Sequence, residues 1–277
     1  MRLLLSSEED PASRNIRTKV LDVEGWSEVG SFQGHPLMKR SDFFLATIDG
    51  IHIFAEGMDG IFRSETGMAV EEIIVLSRHK AASGIPTLTV HPIGNYGKAD
   101  FGGREGVLVP APARTLTSLL RQLSVKALGL PFQVSFEVTH HGPYLGTPTC
   151  FIEIGSSADQ WRNEEAARAI ASSILSLQQN DDPVAIGIGG GHYAPRFSEV
   201  CIAKKVAFGH MVPNYALEGA DDDRTSDIFQ KAKEASDATL AYLHKKSMSR
   251  PRAAQLKAIA DNIGLKVVES SDLEDRV

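Results

Sequence analysis

Phe136-Glu-Val-Thr-His-His-Gly-Pro-Tyr-Leu-Gly-Thr-Pro-Thr-Cys-Phe-Ile-Glu-Ile-Gly-Ser156 decides how the chain is read. Its flanks, Val134 to Val138 and Cys150 to Ile154, are apolar runs rich in β-branched and aromatic residues, the composition of buried strands. Glu137 and Glu153 interrupt those runs, and Thr139, His140 and His141 stand where the first strand should end. Strand ends and the loops after them are where α/β proteins keep their chemistry. Adjacent strand residues point to opposite faces, so His140 and His141 share a pocket only if the strand breaks there. Gly142-Pro143 follows at once: glycine accepts backbone angles that others do not, and proline restricts its predecessor to extended or turn geometry. A break at or just after His140 is therefore expected. The other reading is a core histidine with a hydrogen-bonded ring, and this stretch by itself leaves both open.

The pattern recurs outward from this centre. The apolar runs Glu72 to Leu76, Leu88 to Val90, Val184 to Ile188 and Val206 to Phe208 empty into turns that carry His79, His91, His192 and His210. Strand ends of one sense collect along one edge of a parallel sheet, which would bring these imidazoles to one cleft. Neutral imidazole is a common zinc ligand, and a carboxylate can complete such a site. General acid–base work is the other use, because histidine titrates near neutrality.

The remaining elements follow from caps and periodicity. Leu3 to Ser6 reads as a strand, and Asp10-Pro11 starts a helix to about Leu21, with a capping carboxylate and a proline at the first helical position. Asp49-Gly50 between Phe43 to Ile48 and Ile51 to Ala55 predicts a hairpin. Thr115 to Leu128 has helical spacing and stops at Gly129. Ser157 to Gln160 reads as a capping box opening a helix to about Gln178. Ser226 to Lys245 and Pro251 to Ile263 read as helices, and Leu265 to Val268 as a last strand. Hairpins in the first half and strand–helix alternation in the second predict an α/β fold, a mixed central sheet flanked by helices. No repeat, low-complexity tract or interdomain linker stands out, so residues 1–277 are expected to form one compact catalytic domain.

At 277 residues, 42% hydrophobic and 23% charged, the composition is that of a soluble globular chain. No apolar run approaches the roughly 20 residues of a membrane helix. Two cysteines, Cys150 and Cys201, exclude a disulfide framework and a cysteine-rich zinc site, and make the cytoplasm the default compartment. A net charge of −6 argues against a wholly basic nucleic-acid binder and against DNA as a partner, but leaves room for a local patch. Lys204, Lys205, Arg250 and Arg252 are the candidate phosphate-contacting group, with a solvated charged face as the alternative.

Gly187-Ile-Gly-Gly-Gly-His192 lacks the third glycine of a dinucleotide fingerprint and the Lys-Ser/Thr of a phosphate loop. Gly189, Gly190 and Gly191 could still offer backbone amides to a substrate oxygen, or simply make a tight turn. His-Glu-x-x-His and Gly-x-Ser-x-Gly are absent, which disfavours helical zincins and α/β-hydrolases.

Several long motifs occur together: Ser77-Arg-His79, Thr87-Leu-Thr-Val-His-Pro92 with Gly94-Asn95, Phe136 to Pro143, Pro148 to Gly155 with Trp161, Gly187 to Phe197, and Gly209-His-Met211. Read in order, they resemble the D-aminoacyl-tRNA deacylases of the archaeal and plant type. The resemblance implies hydrolysis of the ester between a D-amino acid and the terminal ribose of tRNA. It also implies zinc dependence, with one or two ions per chain, and a fold akin to phosphorylases and peptidyl-tRNA hydrolases. Combined with the residue-level reading it gives catalytic candidates His140, His141, Glu137, Glu153 and His192, and metal candidates His79, His91, His140 and His210. Gly189, Gly190, Gly191 and Arg196 become substrate-binding candidates, aminoacyl-tRNA the expected partner, and a monomer the expected state. A nucleoside phosphorylase-like enzyme or other small-substrate hydrolase on the same fold is the first rival, since fold does not fix function. A non-catalytic tRNA-binding module is the second.

Overall fold

The alternation of apolar runs and capped helices builds two sheets. The computed structural model describes residues 1–276. Its strands are β1 (Arg2–Ser7), β2 (Ser27–Phe32), β3 (His35–Arg40), β4 (Phe43–Ile48), β5 (Glu72–Arg78), β6 (Thr87–Pro92), β7 (Gln133–Phe136), β8 (Thr149–Gly155), β9 (Val184–Ile188), β10 (Ala207–Val212), β11 (Leu240–Leu243) and β12 (Lys266–Val268). Its helices are α1 (Pro11–Leu21), α2 (Met58–Thr66), α3 (Ala113–Lys126), α4 (Ala158–Trp161), α5 (Glu164–Leu175), α6 (Pro195–Ala203), α7 (Asp222–Ser236) and α8 (Arg250–Asn262).

The larger sheet has the order β2-β3-β4-β1-β5-β8-β6-β7 and is mixed. Strands β4, β1, β5 and β8 run parallel, β6 runs antiparallel to β8, and β7 parallel to β6. The second sheet, β10-β9-β11-β12, is parallel throughout. Helix α3 packs against β6, β10 and α5, and so joins the sheets. Its Leu116, Leu119, Leu120 and Leu123 are fully buried, the helical spacing of one apolar face. Each such leucine stabilises the fold by about 1.5–3 kcal/mol through burial. Leu4, Ile74 and Ile152 of the first sheet share one apolar cluster with Ala185, Phe208 and Tyr242 of the second. Among the described residues, no helix is long and apolar enough to cross a membrane.

Helix α1 starts as expected: Asp10 accepts from the amides of Ala12 and Ser13, and Pro11 sits in the first turn. Three expectations are corrected. Asp49-Gly50 does not close a hairpin; β4 lies between β3 and β1, and His52–Phe54 is a short 3-10 helix. The hairpin is instead β2–β3, turned by Gln33-Gly34, both with positive φ. The helix from Ser157 is interrupted at Asn163, which caps α5 by accepting from Ala166, and α5 ends at Leu175. The helix expected to run to Lys245 ends at Ser236, followed by Asp237 in the left-handed region, and Leu240–Leu243 forms β11 between β9 and β12. Pairing on both sides outweighs the helical propensity of that leucine- and alanine-rich run.

Candidate functional site

Strand β7 stops at Phe136, and the five residues that follow are stitched between three other segments. The Glu137 amide donates to Val90, that of Val138 to His192, and that of Thr139 to Met211, while His140 bridges Ile93. His141 has φ +46°, a left-handed conformation that breaks the alternation of faces. His140 and His141 therefore both turn toward His91, with ring centroids 4.2 and 5.0 Å from it. The strand ends earlier than expected, at Phe136, and it is the left-handed turn at His141 that brings both rings to one side.

His91 and Glu153 come from neighbouring antiparallel strands: His91 lies opposite Phe151, two residues from Glu153 and on the same face. His79 follows the end of β5, and His192 the loop after β9. The cluster thus forms where strands of opposite sense meet, not along one carboxyl edge, because β6 and β7 run against β8.

Seven side chains converge in three overlapping groups: His91, His140 and His141; His79, Glu137 and His192; and His91, Glu137 and Glu153. Within each group the ligand-capable atoms lie within 4.8 Å of one another. His79 Nδ1 is 3.2 Å from Glu137 Oε1, and His192 Nε2 and His140 Nε2 are 3.0 and 3.5 Å from Glu137 Oε2. Glu153 Oε2 lies 3.5 Å from His79 Nδ1 and 3.7 Å from His91 Nε2. A tetrahedral zinc with nitrogen ligands at ~2.0–2.1 Å separates its ligand atoms by about 3.3 Å, and the five distances bracket that value. Both Glu137 oxygens and His91 Nε2 are buried without an aligned hydrogen bond. Orphaned buried acceptors in such a spacing fit a metal ion.

The backbone fixes the ring tautomers. Nδ1 of His91, His140 and His141 donates to the carbonyls of Pro92, Val138 and Gly142 at 3.1, 2.8 and 2.6 Å, which leaves each Nε2 with a free lone pair. Burial, aided by the charges of His91, His141 and His192, pushes the His140 pKa well down. Burial takes that of His141 to about 3. Both rings are neutral at pH 7, the form that binds metal. For His79 and His91 burial also acts downward, but the close carboxylates of Glu153 and Glu137 outweigh it and raise both. Burial acts to raise Glu153, yet the adjacent rings of His79 and His91 prevail and hold it well below the usual carboxylate range. His79 Nε2 meets the Tyr193 hydroxyl at 2.8 Å, and its carbonyl accepts from Trp161 Nε1.

Other candidates lie elsewhere. His210 is fully buried, with Nε2 donating to the Val109 carbonyl at 2.9 Å and Nδ1 accepting from Thr139 at 3.0 Å. Neither nitrogen is left for a metal, so the ligand role expected of His210 is corrected to a structural one. The Gly189 amide donates to Val212 and that of Gly190 to Ser247, so these two are not free for a substrate oxygen; the three glycines make the turn after β9. Arg196 binds the hydroxyls of Tyr242 and Ser270 and lines a different cavity, with His244 and Lys246. Lys204 and Lys205 are paired with Asp275 and Glu274. Arg250 is exposed at the start of α8, and Arg252 reaches Gln255 and the Leu217 carbonyl.

The sequence reading missed His52. It is 1% exposed, with Nε2 3.2 Å from Asp10 Oδ2, and its ring meets Phe151 edge-on. The same Asp10 caps α1 and accepts from the Arg78 amide. Asp10 read only as a cap, and His52 sat in a run mistaken for a strand.

Two cavities open onto the cluster. One, of about 660 Å³, is walled by the loops around Tyr96, Phe101 and Tyr215. The other, of about 450 Å³, is walled by Ile51, His52, Ile53, Arg78 and Lys80. Phe101, His140, His141 and His192 line both. Residues 66–268, a span holding all seven cluster residues, match the D-aminoacyl-tRNA deacylase family. The chain belongs to that family. A D-aminoacyl-tRNA deacylase of Thermococcus kodakarensis is 33% identical over 97% of this chain and 99% of its own length. One from Pyrococcus horikoshii is 34% identical over 97% of this chain and all of its own. One from Methanococcoides burtonii is 38% identical over 98% of this chain, which spans only 57% of that longer relative. The crystal structure of a conserved protein of unknown function superimposes with a TM-score of 0.88 at 31% identity, covering 100% of this chain and 98% of that one.

Proposed function

We propose that the chain hydrolyses the ester between a D-amino acid and the terminal ribose of tRNA, the activity its family is named for, at the histidine–glutamate cluster. The observation that carries this reading is the meeting of two cavities over one set of metal-capable side chains: an aminoacyl ester has two parts, one on either side of the bond to be cut.

Zinc is the metal this donor set favours, with His91, His140 and His141 as one ligand group and His79, Glu137 and His192 as a second. Bound there, it would acidify a water and polarise the ester carbonyl. The protein's own residues do the rest. Glu153, held between His79 and His91, orients both rings and keeps negative charge beneath them. Glu137 has no competing hydrogen bond, so its oxygens are free to ligate or to hold the proton of an attacking water. His192, with 39% of its side chain exposed, is the cluster member most open to substrate and the ring against which the leaving ribose would be positioned. The tRNA substrate supports work in the cytoplasm.

The test is release of D-tyrosine from D-tyrosyl-tRNA, with L-tyrosyl-tRNA and a nucleoside panel alongside. Expected is D-selective hydrolysis, abolished by chelator dialysis and restored by zinc. Full activity in metal-free protein would end the zinc assignment. Phosphorolysis or hydrolysis of nucleosides with no ester cleavage would replace the reading by that of a nucleoside-processing enzyme.

A further inference from the structure

The two cavities at the cluster differ in what lines them. The larger carries Tyr96, Phe101 and Tyr215, with Lys98 and Arg224 at the rim. Asp100 and Glu218 are also in its wall, so net charge does not set its preference. Its aromatic rings do. Phe101 is 65% exposed and Tyr215 49%, among the most exposed large apolar side chains of the described residues. The smaller cavity has isoleucine walls, through Ile51 and Ile53, and the carboxylates of Asp10 and Glu153 that border it are engaged within the chain.

The exposure of Phe101 is built into the fold. Its carbonyl accepts from the Gly142 amide, the Gly103 amide donates to Glu56, and Asn95 donates to the Gly102 carbonyl. Gly102 and Gly103 both have positive φ, and a Cβ on Gly102 would sit 1.9 Å from the Ile53 carbonyl oxygen. A backbone pinned this closely holds an uncovered ring in a fixed place, on the boundary between the two cavities.

Resting on the deacylase reading, we propose that the substrate straddles Phe101. The terminal adenosine of tRNA occupies the larger cavity with its base against Tyr215, and the D-aminoacyl group occupies the smaller one. The scissile ester must lie at the cluster, and its nucleoside and aminoacyl parts leave that point in different directions. Every base has a π-face that stacks on an aromatic ring, which the larger cavity offers in Tyr215, whereas the isoleucine walls of the smaller cavity suit an amino-acid side chain. A volume of about 660 Å³ is ample for a nucleoside.

The experiment pairs Tyr215→Ala with Ile53→Ala and adds a binding readout that needs no hydrolysis. Tyr215→Ala should raise KM about tenfold, by the same factor for D-alanyl- and D-tyrosyl-tRNA, with kcat little changed. Ile53→Ala should change the ratio of kcat/KM between those two substrates and leave affinity for uncharged tRNA alone. A tRNA ending in 2-aminopurine should lose fluorescence on binding the wild-type protein and keep it with Tyr215→Ala. The proposal falls if Tyr215→Ala leaves KM and quenching intact, or if it alters the amino-acid ratio while Ile53→Ala raises KM uniformly. Quenching by a protein that cleaves no D-aminoacyl-tRNA would keep the nucleoside site and remove the deacylase reading, so the two failures are distinguishable.

Discussion

The cluster around Glu137 and the glycine-rich edge of the second sheet carry equally suggestive sequences, yet the protein treats them in opposite ways. After β9, the amides of Gly189 and Gly190 and the guanidinium of Arg196 all find partners within the chain. At the cluster, both Glu137 oxygens and His91 Nε2 are buried without aligned partners. A buried polar atom left unpaired costs about 1–3 kcal/mol, so a fold keeps several together only where something else uses them. Unmet valence, more than the richness of a motif, separates a site from a turn.

The largest effect that could break this contrast is at the cluster. His140→Ala and His141→Ala should each lower kcat/KM by about a hundredfold or more, with bound zinc reduced and little loss of thermal stability. Two destabilised but active variants, by turnover and melting, would return these rings to the core.

His210 sharpens the contrast from the other side. Burial pushes its pKa down to about 4, against the pull of the Val109 carbonyl. The unfolded chain binds that proton more readily, near pH 6.5, so stability is full above about pH 6.5 and falls as the pH drops toward 4. The loss attributable to this ring is roughly 3 kcal/mol. Urea unfolding across that range should show a shallower pH dependence in His210→Gln, while its activity per folded molecule at pH 7.5 persists. An inactive but fully folded His210→Gln would reinstate His210 in the mechanism.

Arg196→Ala should cost on the order of 1 kcal/mol, from its hydrogen bonds to Tyr242 and Ser270, and leave kcat/KM within about twofold. A large loss of activity without unfolding would mean the second cavity takes part in turnover. Smallest is the basic pair: Lys204→Ala with Lys205→Ala removes ion pairs worth less than about 1 kcal/mol. Because Asp275 and Glu274 already neutralise both, tRNA affinity and its salt slope should change little, whereas a drop in slope would make this face part of the contact.

Legibility in the sequence followed the range of the interactions. Asp10-Pro11 announces α1 because a cap is a local contact. Glu137 and Glu153 could be picked out because a charge inside an apolar run is anomalous by itself. The positive φ of His141 could not, since the contacts of Gly142 with the Gly102-Gly103 backbone come from 40 residues away in the chain. The same holds for Leu240–Leu243, whose helical composition is overruled by β9 and β12. His210 and His140 follow similar apolar runs; only the Val109 carbonyl and Thr139 hydroxyl, brought in by distant segments, tell them apart.

The cluster lies wholly within residues 66–268, while Asp10, Ile51, His52 and Ile53, which wall the smaller cavity, lie outside that span. On the proposed reading, the first 60 residues thus supply one wall of the aminoacyl cavity, while Arg78, Lys80 and Phe101 close it from the span that holds the cluster; Asp10, beside His52 and bonded to the Arg78 amide at the end of β5, joins the two. An engineer seeking a deacylase for bulky or unnatural D-residues would diversify the first 60 positions and leave the histidines alone.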